Sequence, residues 1–246
     1  MRYAILTDIH ANREALEAVL ADMVGRSLDA IAVLGDIVGY GADPEWCCET
    51  LIPLVADGAI CVRGNHDTAA TTAFDGMTTN AKRAIDWTRT RLSPAHAAFL
   101  AALPLTARRG EVAFVHASMN APEAWSYITS DTRALPSFRS TDARLIFCGH
   151  VHIPLLASSD PGGTVREIGF RIGSPIPLLS SRRWLAVVGS VGQPRDGSPQ
   201  AAWAILDTEA NEFSFRRTPY DTAGAAQKIR AAGLPEALAT RILTGR

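Results

Sequence analysis

The first apolar run, RYAIL at residues 2–6, is followed by apolar positions at helical spacing: Ala15, Leu16, Val19, Leu20 and Met23. The run predicts a buried strand. The spacing predicts a helix over 12–25, with Asn12 as N-cap and Gly25 as stop. The pair then repeats. AIAVLGD at 30–36 predicts a second strand, and Asp43-Pro44 opens a helix to about residue 56, with Pro53 late enough to shorten it. AICVRGNHD at 59–67 predicts a third strand ending in polar residues. Residues 80–100 read as helix broken at Ser93-Pro94, and EVAFVHAS (111–118) and ARLIFCGHVH (143–152) as further strands. Strands alternating with helices imply parallel pairing through crossover helices.

Two stretches break the rhythm. Residues 119–142 carry Trp125 and Tyr127 without a clear apolar period, and predict an irregular loop of lid length. After residue 155 come short strand-like pieces, LLASS, TVREI, WLAVVGS, AAWAILD and EFSFRRT, separated by DPGG, GQPRDG and TEAN. These predict a run of hairpins. Residues 222–243 predict one or two helices around GLP at 233–235. The expected organisation is one domain over 1–220 with a helical tail, 221–246, packed on it.

Composition narrows the function classes. The chain has 246 residues, 47% apolar and 20% charged, enough for a substantial core. A net charge of −1 and dispersed arginine pairs leave no basic stripe, so no nucleic-acid-binding surface is expected. The N-terminal apolar run is too short for a signal peptide, and no run approaches the ~18 apolar residues of a membrane span. The four cysteines lack C-x-x-C spacing, which points to reduced thiols and a cytoplasmic protein.

Polar residues gather where the apolar runs end. ILTDIH gives Asp8 and His10; VLGD gives Asp36; VRGNHD gives Asn65, His66 and Asp67; FVH gives His116; and FCGHVH gives His150 and His152. Five of the six histidines lie in these clusters. In an open parallel sheet the carboxyl ends of the strands form the binding edge, so the clusters should converge. In extended chain, residues two apart face the same way, so Asp8/His10 and His150/His152 should each present a pair. Gly35, Gly64 and Gly149 precede ligand-bearing residues, where the chain must turn or approach closely. Any one cluster could be a turn or a pair of ordinary strand-end histidines. Their joint occurrence points to a site. Oxygen and imidazole donors without thiolate suit Mn, Fe or Zn, and about seven candidate ligands suit two divalent ions sharing a carboxylate, the arrangement used for phosphoester hydrolysis.

In this order, D-x-H, G-D, G-N-H-D, H and G-H-x-H resemble the calcineurin-like metallophosphoesterase superfamily, with the small prokaryotic phosphodiesterase and diadenosine polyphosphatase-like members the nearer match. GDIVGYGADP and GSVGQPRDG strengthen the likeness. The resemblance implies a four-layer α/β/β/α sandwich of two mixed sheets. It implies one site from Asp8, His10, Asp36 and His152, and a second from Asp36, Asn65, His116 and His150. His66 would face the substrate as a catalytic residue, oriented by Asp67. Protein phosphatases of this superfamily carry GDYVDRG where this chain has GDIVGYG, so Gly39 and Tyr40 replace the Asp and Arg.

The expected activity is hydrolysis of a phosphodiester or dinucleoside polyphosphate. A phosphomonoesterase or serine/threonine phosphatase is the alternative within the class, and a non-catalytic metal-binding scaffold the alternative outside it. Arg195 and Tyr40 are weaker candidates for contact with a phosphoester or nucleotide substrate. Main-chain N–H groups of GSVGQPRDG could face an anion. The tail helices would cap the site or build a homodimer contact.

Overall fold

The computed structural model describes residues 1–73 and 76–246. Two six-stranded mixed sheets stack face to face. The first contains β1 (Arg2–Leu6), β2 (Ala30–Val33) and β3 (Ile60–Cys61), which run parallel. The second contains β4 (Thr106–Arg109), β5 (Val112–Val115), β6 (Leu145–Cys148), β7 (Leu155–Ser159) and β8 (Val165–Glu167). β9 (Ile176–Pro177) returns to the first sheet, β10 (Arg183–Val187) enters the second, and β11 (Ala201–Asp207) and β12 (Glu212–Thr218) complete the first. The orders are β3-β2-β1-β11-β12-β9 and β4-β5-β6-β10-β7-β8.

Period-two alternation sorts the core. Tyr3 and Ile5 of β1 point between the sheets, beside Phe114, Phe147 and Phe213. Ala4 and Leu6 point outward, onto the helices that cover the first sheet. Those include α1 (Arg13–Met23), α2 (Pro44–Ala56), α3 (Asn65–Thr71), α4 (Thr79–Arg91) and α5 (Pro94–Ala102). Asn12 caps α1 as expected, accepting from Ala15 N–H at 3.1 Å. Helix α2 passes through Pro53 and continues to Ala56. Ser93 caps α5 and Pro94 starts it, so the expected break falls there.

Three expectations change. Residues 119–142 are not irregular throughout: α6 (Asp131–Arg139) buries Ala134 and Phe138 on the outer face of the second sheet. It supplies the fourth layer of the α/β/β/α sandwich. The third strand is two residues long, and Asn65, His66 and Asp67 form the first turn of α3. Strands β4 and β9 carry no alternating apolar signal, because both lie at sheet edges and β9 ends in proline. The tail forms α7 (Thr222–Ala231) and α8 (Glu236–Thr244), whose buried Ile229, Leu238 and Ile242 pack with Ala81, Ala84 and Tyr40.

Candidate metal centre

The clusters do converge, but from two sheets. Asp8 and His10 follow β1, and Asp36 follows β2. His116 follows β5, and His150 and His152 follow β6. The N-terminus of α3 brings Asn65 and His66 in from the side. The pairs are not held in extended chain. Asp8, His10, Asp36, His150 and His152 have φ of 53°, 52°, 52°, 67° and 64°. Left-handed backbone costs a residue other than glycine about 1–2 kcal/mol. Here it lets the departing chains bond to one another: His10 N–H donates to Asp36 O at 2.9 Å, and His150 N–H to Asp8 Oδ2 at 2.9 Å. A Cβ at Gly149 would overlap Thr7 and the Asp8 carboxylate, so this position demands glycine for close approach.

Histidine orientation is fixed from behind. His10 Nδ1 pairs with Val38 O at 3.2 Å, His116 Nδ1 with Leu34 O at 2.8 Å and His152 Nδ1 with Gln193 O at 2.6 Å. A carbonyl only accepts, so each Nδ1 carries the proton and, in the neutral ring, each Nε2 turns a lone pair inward. Yet His10 Nε2 and His152 Nε2 stand 3.0 Å apart, and His116 Nε2 stands 3.1 Å from His150 Nδ1. At His10 and His152 both Nδ1 protons are committed, so two lone pairs face each other and need positive charge between them, whereas a His150 Nδ1–H can donate to His116 Nε2. Two nitrogens each ~2.1 Å from one ion, about a right angle apart, are separated by about 3.0 Å.

The carboxylates match. Asp8 Oδ2 is engaged by Thr7 Oγ1 and His150 N–H, while buried Oδ1 has no hydrogen bond and lies 3.1 Å from His152 Nε2. Asp36 Oδ1 accepts from His66 N–H at 2.8 Å. Its Oδ2 lies 3.6 Å from His10 Nε2 and 3.4 Å from His116 Nε2. Asn65 Oδ1 is 3.1 Å from His116 Nε2. Burial opposes charge throughout, but the electrostatics sort the groups. Neighbouring histidines, His116 foremost, overcome burial and hold Asp36 well below the carboxylate range. Asp36 overcomes burial at His116 and pushes it up to about 9. Burial, then Arg195, lowers His152 to about 3.

His66 lines a cavity of about 290 Å³, its ring 4.3 Å from Tyr40 and 4.8 Å from His10 between centroids. Burial drives its pKa well below the ordinary histidine value. Asp67 does not orient it. Asp67 Oδ1 accepts from Ile37 N–H at 2.8 Å and Val38 N–H at 3.2 Å, and Oδ2 from Gly64 N–H at 3.0 Å. It ties the loop after β2 to the start of α3. The GSVGQPRDG main chain is likewise committed elsewhere: Val191 N–H and Gly192 N–H donate to Thr7 O and Asp8 O. That loop braces the centre instead, through Gln193 O and through Ser190 Oγ on Asp8 O. The glycine-rich run was its only signal in the sequence. Arg195 and Tyr40 line the cavity with Trp125 and Tyr127. Tyr127 stacks on His150 at 4.1 Å, and Trp125 meets His116 edge-on at 5.8 Å.

A profile of the calcineurin-like phosphoesterase superfamily domain matches residues 1–211. The chain belongs to this superfamily. A metallophosphoesterase from Sphaerobacter thermophilus of known structure is 38% identical, with a TM-score of 0.88, covering 100% of this chain and 99% of that one. An uncharacterised protein of Methanocaldococcus jannaschii is 36% identical, covering 99% of this chain and 98% of its own. A hypothetical protein from Pyrococcus horikoshii shares the fold, with a TM-score of 0.80 at 19% identity, covering 100% of this chain and 98% of that one. Membership makes this a hydrolase fold for phosphoesters, and the chain's donors fit the metals such a fold holds. Among the described residues, three groups, Asp8/His10/His152, His10/Asp36/His66 and Asp36/His116/His150, each bring one ligand atom per residue within 4.8 Å of one another. Among the described residues, no helix is long and apolar enough to cross a membrane.

Proposed function

We propose that this chain is a dinuclear metal-dependent phosphoesterase acting on a phosphodiester or a dinucleoside polyphosphate. The reading is carried by Asp36 Oδ2, which faces His10 on one side and His116 on the other. Asp8, His10, Asp36 and His152 would hold one ion. Asp36, Asn65, His116 and His150 would hold the other. Mn, Fe or Zn bound there would lower the pKa of a water and neutralise phosphate charge.

The remaining steps belong to side chains. A water oxygen bonds to phosphorus, and the ester oxygen leaves and takes a proton. His66, on the cavity wall, donates to that leaving oxygen. A bound phosphate anion favours the protonated ring, against the burial that disfavours it. Arg195 lines the same cavity, and Trp125 and Tyr127 shield one side of it from water. Gly39 and Tyr40 stand where protein phosphatases carry Asp and Arg, which favours smaller esters over phosphoproteins. A cytoplasmic setting suits four buried cysteines that form no disulfide.

The test is hydrolysis of bis-p-nitrophenyl phosphate with Mn²⁺ and with chelator, alongside metal analysis of the purified protein. The expected result is about two ions per chain and turnover abolished by chelator. Turnover indifferent to chelator, or saturation at one ion, would sink the dinuclear reading.

A further inference from the structure

Where the tail meets the cavity wall, two guanidinium groups converge on one amide oxygen. Gln193 Oε1 accepts from Arg195 Nη2 at 2.8 Å and Nε at 3.3 Å, and from Arg241 Nη1 of α8 at 3.4 Å. Among the described residues, no carboxylate lies within 4.0 Å of either arginine's nitrogens. Gln193 is fully buried, and its Nε2 has no partner; nor does the buried Nε of Arg241. Two cations sharing a neutral acceptor repel each other, and partial burial adds desolvation cost. Burial and then Arg195 accordingly push the Arg241 guanidinium down. The arrangement calls for an anion.

The anion would sit beside the metal centre. Arg195 N–H donates to His152 O at 3.2 Å, and its guanidinium lies 5.6 Å from the Tyr40 ring centroid. Tyr40 in turn lies 4.6 Å from His10. The guanidinium therefore stands one aromatic ring beyond the ligand cluster, a span that linked phosphates can cross. The tail is held firmly enough to fix it: Leu238, Ala239 and Ile242 are buried on either side of Arg241, and Gly197 N–H donates to Gly245 O at 2.9 Å. The superfamily profile ends at residue 211, so Arg241 belongs to a segment outside it.

The geometry points to a second anion subsite in which Arg195 contacts a phosphate one or more links from the scissile one, with the tail residue Arg241 positioning it through Gln193. This rests on the phosphoesterase reading and narrows its substrate to a phosphate chain. The step remains hydrolysis, with water adding to phosphorus and a phosphate oxygen leaving with a proton.

The experiment compares diadenosine tetraphosphate with bis-p-nitrophenyl phosphate, which has a single phosphate, on the metal-loaded full chain. Arg241→Gln should raise KM for the tetraphosphate by about tenfold or more, with a smaller change in kcat and a smaller loss on the diester. Arg241→Lys should recover part of that loss. Gln193→Glu provides a check that does not depend on Arg241→Gln folding. It puts a carboxylate between the guanidinium groups, so it should raise Tm while also raising KM for the tetraphosphate.

Equal losses on both substrates, a loss confined to kcat, or a Gln193→Glu chain that binds the tetraphosphate as well as wild type would each overturn the subsite. Diester turnover without tetraphosphate turnover would overturn it too, leaving the phosphoesterase reading intact. With ions bound and neither substrate cleaved, the phosphoesterase reading falls first and takes the subsite with it.

Discussion

Asp36 divides its carboxylate, with Oδ1 on the His66 N–H and Oδ2 between His10 and His116. An amide there would lose the charge that holds both ligand groups together. Asp36→Asn should therefore lower metal content and cut turnover by more than the ~10–100-fold typical of residues that only support a ligand. Metal analysis and bis-p-nitrophenyl phosphate kinetics read both effects. His66→Gln should behave oppositely, retaining ions but losing about 10²–10⁴-fold in rate on an ester with a poor leaving group. Full turnover on such an ester would end the acid role. The identities of these residues were legible because five histidines and three aspartates fall at the ends of apolar runs. Their conformation was not. Left-handed φ at Asp8 or His152 depends on bonds to loops remote in sequence, and two of the three partners of Asp67 lie about 30 residues upstream, on the backbone of Ile37 and Val38, with only Gly64 nearby.

Helix α6 shows what local pattern conceals. Only Ala134, Ser137 and Phe138 of its nine residues are buried, and Pro136 lies inside it. So short an apolar face gives no visible period, and proline argues against a helix. The available signals were at its ends: Ser130 as cap, Asp131 in the first turn and Arg139 in the last. The break between α4 and α5, by contrast, was legible because Ser93 and Pro94 specify a helix start by themselves. The contribution of α6 is packing against Ala113, Ile146 and Leu185. Phe138→Ala should destabilise the chain by about 3–5 kcal/mol in urea unfolding. Tyr127, on the connection leading to α6, is 54% exposed. Tyr127→Ala should change stability by no more than about 0.5 kcal/mol while raising KM, because it removes a cavity wall and leaves the core intact. A large stability loss would mean that the aromatic serves the fold rather than the cavity.

At the scale of the molecule, two sheets must meet before the centre exists. Strand β1 pairs with β11, Arg2 opposite Asp207, a contact no local pattern announces. The two-sheet sandwich was therefore legible only through family resemblance, and the reach of Arg241 to Gln193 was not legible at all. Fully buried Asp8 and Asp36 make the folded chain the preferred partner of a cation. An ion at 100 times its Kd stabilises by about 2.7 kcal/mol. Chelation should lower Tm in scanning calorimetry, and the Tm of Asp36→Asn should respond less. A wild-type Tm indifferent to chelator would count against resident ions. The order of synthesis follows from the same geometry. A chain emerging from the ribosome displays Asp8, His10 and Asp36 early. His150 and His152 come much later, and later still come Gln193, which orients His152, and β11, which anchors β1. No fragment that ends before β11 offers the completed cage. Any ion held there would therefore be selected by the finished pocket rather than by the first ligands to emerge.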